Sequence, residues 1–317
     1  MKKRALITGV NGQDGSYLAE YLIGCGYDVI GTLRSAAYRK DYLLNLEGFE
    51  CVEADFTSQS KINDLLLAVK PTEIYNFAAY SSGSGMFDDP IEIAEINGVS
   101  VARILEGIVS IDSNIRFCQA SSSEMFGFVD ETPQSENTRF NPRTPYGAAK
   151  LYAHNMVNIY RKHFGVFACS AILYNHESPR RGLNFVTRKI VNAAVSIKNK
   201  ETDKLTLGAL DVKRDWGFSE DYVKAMHLML QYGYPDDYVI ASGVAHTVRD
   251  ICQIAFDHLG LDYRKFVEVT QSSSRAPETL DLVGDSSKAR EILGWKPSLE
   301  FAELIRMMVD AEIKSFK

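Results

Sequence analysis

Cysteine is scarce and unspaced: Cys25, Cys51, Cys118, Cys169 and Cys252 are the only five in 317 residues. Their odd number and scatter exclude a disulfide framework and metal-ligand spacing. They read as reduced thiols of a cytoplasmic protein with no metal site. Basic surplus is also lacking. A formal net charge of -6 excludes the basic footprint of a general nucleic-acid binder, although local arginines can still hold a diphosphate. No stretch approaches the roughly 18 apolar residues of a membrane span, so no membrane partner is expected. The apolar run after Lys2-Lys3-Arg4 stops at Thr8-Gly9, too soon for a signal-peptide core. Internal repeats and low-complexity segments are absent as well.

What is present is a rhythm. Arg4 to Thr8, Asp28 to Leu33, Phe49 to Glu53, Glu73 to Phe77, Ile115 to Ala120 and Phe167 to Leu173 read as strands. Between them, Ser16 to Ile23, Gln59 to Val69, Pro90 to Ser110 and Pro145 to His163 carry helical spacing. Such alternation predicts an α/β fold, a doubly wound parallel sheet of Rossmann type with helices on both faces. After Asn175 the rhythm breaks. The expected division is a dinucleotide-binding domain over 1–175, with 211–243 (Asp215 to Ile240 at its centre) returning to it. Segments 176–210 and 244–317 then make a smaller mixed lobe for the substrate.

The first strand runs into Thr8-Gly9-Val10-Asn11-Gly12-Gln13-Asp14-Gly15, a Gly-x-x-Gly-x-x-Gly turn that opens the first helix. Glycines there allow a tight turn and let a pyrophosphate approach the helix N-terminus. Strand–turn–helix is the setting a dinucleotide site requires. The second strand ends Thr32-Leu33-Arg34-Ser35 without an acidic residue. Arg34 can pair with a 2′-phosphate, which favours NADP over NAD. Asp55 and Phe56, after the third strand, are expected to flank the adenine.

Tyr146 and Lys150 stand four apart on one helical face. A lysine ammonium and a positive nicotinamide both favour phenolate, so Tyr146 is expected to have a lowered pKa and to act as acid and base. The small residues between them are expected to let the cofactor lie close. The fifth strand runs into Ser121-Ser122-Ser123-Glu124. Ser122 can donate to the oxygen that Tyr146 serves. Glu124 adds something that simple hydride transfer does not need: a base able to remove a carbon-bound proton.

Together these segments resemble the extended short-chain dehydrogenase/reductases that act on sugar nucleotides, and among them the GDP-mannose 4,6-dehydratases. The resemblance continues through Asn175-His176-Glu177-Ser178-Pro179-Arg180-Arg181-Gly182, Phe185 to Lys189, Arg214-Asp215-Trp216-Gly217, Arg275 to Glu278 and Leu293 to Pro297. It implies oxidation at C4, proton removal at C5 by Glu124 with loss of water from C6, and hydride return to C6. It assigns Gly9, Asn11, Gly12, Gln13, Asp14, Gly15, Arg34, Asp55, Phe56, Ala78, Tyr80, Tyr146, Lys150 and His176 to the cofactor. It assigns Ser81, Ser82, Ser123, Asn175, Asn184, Val186, Lys189, Arg214, Arg275 and Glu278 to a GDP-sugar. It also implies a homodimer or homotetramer, with the Arg34 to Leu46 stretch available for an intersubunit contact. One segment departs from the family: Tyr80-Ser81-Ser82-Gly83 stands where a Gln-Ser-His-Val is usual. That leaves a 4-epimerase or 4-ketoreductase of the same family as the alternative outcome. A non-catalytic dinucleotide sensor on this fold would not need Tyr146, Lys150 and Glu124 together.

Overall fold

Strands with apolar or small residues at consecutive positions are buried on both faces, and the first two here obey that rule after their first residue. In the computed structural model, which describes residues 2–35, 48–80, 87–270 and 281–315, β1 (Arg4–Thr8) sits inside a seven-stranded sheet. Ala5 and Ile7 point into one core with α1 (Gln13–Gly24); Leu6 points into the other. β2 (Asp28–Leu33), β3 (Phe49–Glu53), β4 (Glu73–Asn76), β5 (Arg116–Ser122) and β6 (Ala168–Leu173) complete the alternating half, every pair parallel. α2 (Gln59–Val69), α3 (Pro90–Ala94), α4 (Ser100–Ile111) and α5 (Pro145–Phe164) connect them. Fully buried Ile62, Leu66, Ile104, Leu105 and Val157 fasten α2, α4 and α5 to the sheet. Each such side chain contributes about 1.5–3 kcal/mol.

Beyond β6 the chain makes β7 (Asn175–Glu177), α6 (Val186–Lys198), β8 (Leu205–Leu207) and β9 (Lys213–Phe218). It continues with α7 (Ser219–Gln231), β10 (Asp237–Ile240), β11 (Ala245–Thr247), α8 (Val248–His258), β12 (Val267–Val269), α9 (Ser287–Leu293) and α10 (Phe301–Ser315). α7 packs beside α1, and β10 adds to the free side of β6. β9 instead pairs with β7 and β11 in a separate three-stranded sheet. α6, α8 and α10 share a second apolar core with Trp216 and Phe218. Ala289 of α9 and the following Trp295 lie in the large-sheet core with α1 and α7, although they fall within 244–317.

The large sheet has the order β10-β6-β5-β4-β1-β2-β3. Strand order therefore reverses between β1 and β4, and that reversal opens a crevice at the strand C-termini. Three differences from the sequence-based elements bear on the crevice. α1 begins three residues earlier than expected, at Gln13, because the glycine turn already ends at Gly12. β5 runs two residues further, so Ser122 is a strand residue paired with Leu173. The long helix from Pro90 is broken by a π-turn over Glu95–Val99. No helix among the described residues is long and apolar enough to cross a membrane.

Candidate active site

The glycine turn is sterically determined. Gly9 has φ +65°, and a Cβ there would lie 2.9 Å from the Ala78 nitrogen on the neighbouring strand end. A Cβ on Gly15 would lie 2.7 Å from both the Gly9 carbonyl oxygen and the Val10 Cα. Gly12 caps α1 without a side chain, which leaves the first helical amides unobstructed. Over this turn lies a cavity of about 1190 Å³, spanning the β1/β4 reversal. Its size, the bare helix N-terminus and four lining arginines (Arg34, Arg180, Arg181 and Arg188) fit an extended diphosphate such as a dinucleotide. Hydrogen bonds tie the strand ends beneath it. Thr8 Oγ1 donates to Asn76 Oδ1 (2.5 Å), and Asn76 Nδ2 donates to Gln119 Oε1 (2.8 Å).

Asp14, in the first turn of α1, is locked by its surroundings. Ser219 Oγ donates to it at 2.7 Å and His176 Nε2 at 2.9 Å. Burial alone would raise its pKa, but the charge and hydrogen bond of His176 hold it well below the usual carboxylate range. The other ring nitrogen of His176 lies 2.7 Å from the Tyr174 carbonyl, which can only accept. Both nitrogens therefore face acceptors, an arrangement that favours the cationic imidazole. Its pKa is accordingly raised: burial opposes the charge, and Asp14 more than offsets that.

A second cavity, about 130 Å³, opens beside the first. Ser122, Ser123, Glu124, Tyr146, Lys150, Asn175 and His176 line it. β5 delivers Ser122, and the single 3₁₀ turn Ser123–Met125 presents Glu124, whose amide is capped by Ser122 Oγ (3.2 Å). α5 delivers Tyr146 and Lys150; Thr144 caps it and Pro145 occupies its first position. Lys150 is buried, and its Nζ donates to the Ala120 carbonyl at 2.9 Å while lying 5.8 Å from the Tyr146 ring. Burial lowers its pKa to about 8. Tyr146 is not lowered in the protein alone, contrary to the sequence-based expectation. Burial pushes the phenol up to about 12, outweighing the hydrogen bond from Ser122. The small residues between the pair also have another use. A Cβ on Gly147 would lie 2.5 Å from the Glu124 carbonyl oxygen, and Ala149 packs under Gly98. They let α5 seat against the Glu124 turn and the π-turn.

The π-turn itself reaches the cavity. Asn97 Oδ1 accepts from the Tyr80 amide at 2.6 Å, and its Nδ2 donates to the Tyr80 carbonyl at 3.0 Å. It thereby pairs with that residue as a strand neighbour would. Ile96 and Ser100, on either side of Asn97, line the large cavity.

Gly9, Asn11, Gly12, Gln13, Asp14, Gly15, Arg34, Asp55, Phe56, Ala78 and Tyr80 all line the large cavity. Asn184, Val186, Lys189 and Arg214 line neither cavity; Lys189 Nζ donates to the Thr206 carbonyl, and Arg214 Nη1 to that of Lys213. Ser81, Ser82, Arg275 and Glu278, and the 36–46 part of the Arg34 to Leu46 stretch, fall outside the described residues. Sequence reasoning gave no site role to Glu92, Arg180, Arg181, Phe185 or Arg188, which line the large cavity. Arg181 and Phe185 line both cavities, the guanidinium 3.5 Å from the ring centroid. The Arg180-Arg181 doublet beside a buried glutamate was the signal available for two of them.

Comparison with known proteins first fixes the fold. UDP-glucose 4-epimerase of Thermotoga maritima, solved with UDP-glucose, superposes with a TM-score of 0.88 at 20% identity, over 99% of this chain and 100% of that one. dTDP-glucose 4,6-dehydratase of Bacillus anthracis, solved with NAD, gives 0.86 at 19%, over 98% and 97%. The sequence then narrows it. The family model "GDP-mannose 4,6 dehydratase" matches residues 6–308. GDP-mannose 4,6 dehydratase 2 of Arabidopsis thaliana is 45% identical over 100% of this chain and 88% of its own length. This chain belongs to the GDP-mannose 4,6-dehydratase family.

Proposed function

We propose that this protein is an NADP-dependent hydro-lyase that converts GDP-mannose to its 4-keto-6-deoxy product. The observation that carries the reading is the gathering of Glu124 with Ser122, Tyr146 and Lys150 around one small cavity. A hydride-transfer pair alone would serve an epimerase or reductase; the carboxylate adds proton removal at carbon. Bound NADP+ supplies a hydride acceptor and, once reduced, a donor, and its positive ring favours the Tyr146 phenolate. Tyr146 takes the 4-hydroxyl proton, with Ser122 bonded to the same oxygen. The 4-ketone acidifies C5, and Glu124 removes the C5 proton. Glu124 then gives that proton to the departing C6 hydroxyl, which leaves as water. The proton held on Tyr146 balances the one returned to C5.

Arg34, at the end of β2, supports NADP as the cofactor. Residues 1–175, with 211–243 returning to them, form the cofactor half in this reading, and 176–210 with 244–317 form the sugar-nucleotide side. Lys189, Arg214, Arg275 and Glu278 are candidates for the GDP moiety. Exposed Ile91 of α3, and Tyr152 and Ile159 one heptad apart on α5, support a homo-oligomeric face. Five free cysteines support a cytoplasmic setting.

The test is incubation with GDP-mannose and catalytic NADP+. A product lighter by one water, formed without stoichiometric NADPH consumption, is expected. An isomer of unchanged mass would replace the reading with epimerisation. Glu124→Gln should keep cofactor affinity and lose elimination by about 10²–10⁴-fold; undiminished elimination would remove Glu124 from the mechanism.

A further inference from the structure

Among the described residues, four arginines line the large cavity, and they are not held alike. Arg180 pairs with Glu20 at 2.6 Å, Arg181 with Glu177 at 3.2 Å, and Arg188 with Glu312. None of those carboxylates lines either cavity. Each of these arginines is anchored from behind, with its side chain no more than 19% exposed. Arg34 is different. Its side chain is 83% exposed, and its partner at 3.2 Å, Glu92, lines the same cavity. The pair joins the end of β2 to the first turn of α3 across 58 residues of sequence.

The other carboxylates of the cavity among the described residues are occupied elsewhere. Asp14 is bound by His176 and Ser219. Asp55 is bound by the amide and hydroxyl of Thr57 and by Lys61. Among the described residues, Glu92 is the cavity carboxylate that faces Arg34.

We infer that Glu92 is a specificity-determining residue for the cofactor, an inference resting on the reading that this cavity holds a dinucleotide. The end of β2 is where the ribose 2′-substituent meets the protein. A carboxylate accepts a hydrogen bond from a 2′-hydroxyl and repels a 2′-phosphate, whereas a guanidinium binds the phosphate in a fork. Here both groups sit on one exposed, exchangeable pair. NAD can use Glu92 with the pair intact; NADP must take Arg34 away from Glu92. Glu92 therefore holds down the preference for NADP.

Dissociation constants for NADP+ and NAD+, measured by calorimetry on the native protein and on Glu92→Gln, Arg34→Ala and the double variant, test this. Glu92→Gln should tighten NADP+ by roughly three- to tenfold while leaving NAD+ unchanged or up to about threefold weaker. The gain should shrink at 0.5 M salt, as expected for an exposed pair at about a 4 Å Debye length, and shrink again in the Arg34→Ala background, where only the direct repulsion is left to relieve. An unchanged ratio of the two constants, or a gain that survives Arg34→Ala undiminished, overturns the inference and leaves the dinucleotide reading standing. If the native protein binds neither dinucleotide, the reading of the cavity fails first and the inference with it.

Discussion

The two adjoining cavities are built by opposite means. The larger takes its shape from backbone: three glycines, a bare helix N-terminus and strand ends cross-bonded through Thr8, Asn76 and Gln119. Three of its four arginines are fixed by carboxylates outside it. The smaller is a ring of hydroxyl, carboxyl, phenol and amine groups. A backbone-built wall recognises a ligand of fixed shape and charge. A wall of titratable side chains, with Tyr146 and Lys150 displaced by burial to about 12 and about 8, moves protons. Binding and chemistry are thus separable here, and each can be damaged without the other.

The sharpest separation is expected from Tyr146→Phe, which removes one oxygen from the smaller cavity. Turnover should fall by about 10³-fold or more, with dinucleotide affinity within about twofold of native. A parallel titration and single-turnover measurement checks this; an equal loss in both would show that the cavities act as one. Next is Gly15→Ala in the larger cavity. Its Cβ meets backbone at 2.7 Å, with no flexible side chain to move aside. Dinucleotide affinity should fall by about 100-fold, and stability by about 1–3 kcal/mol in a denaturant titration. Retained affinity would mean that the turn is not the binding element.

Lys150→Met acts on stability with the opposite sign. Burial holds the Lys150 pKa at about 8, below its ordinary 10.5. Between those values the unfolded chain carries a proton that the folded one has shed. This group's contribution therefore rises with pH across that window, and its full cost remains below pH 8. The substitution should stabilise the fold at pH 7 by on the order of 1–3 kcal/mol while abolishing turnover. It should also remove the rise in melting temperature between pH 8 and 10. A destabilised variant would mean that the bond to the Ala120 carbonyl outweighs the cost of burying the ammonium.

Legibility in the sequence followed the distance between partners. The turn from Thr8 to Gly15, the Tyr146–Lys150 pair and the Ser122–Glu124 turn each lie within a few residues, and local pattern exposes them. Much of the sheet was legible too, because β1, β2 and β6 carry apolar residues at consecutive positions. What escaped depends on contacts across the chain. Arg180 meets Glu20 and Arg188 meets Glu312 only once α1, α6 and α10 are packed. The rise in the Tyr146 pKa comes from burial, which no local spacing reports. Glu92 reads as an ordinary first-turn acid of α3, capped by Asp89, until Arg34 is seen opposite it.

The π-turn at Glu95–Val99 gives the wall of the larger cavity a dependence on phase. Each residue of a helix advances it by about 100°, and a π-turn carries a residue more than an α-helix would. α4 is fixed by Ile104, Leu105 and Ile108 in the core, so the extra residue sets the azimuth of everything before it. Shortening the turn by one residue would leave every strand and every core contact of α4 in place. It would swing Glu92 around the helix axis away from Arg34 and carry Asn97 off the Tyr80 backbone. The charge facing a ribose is, in this sense, held by a count of residues.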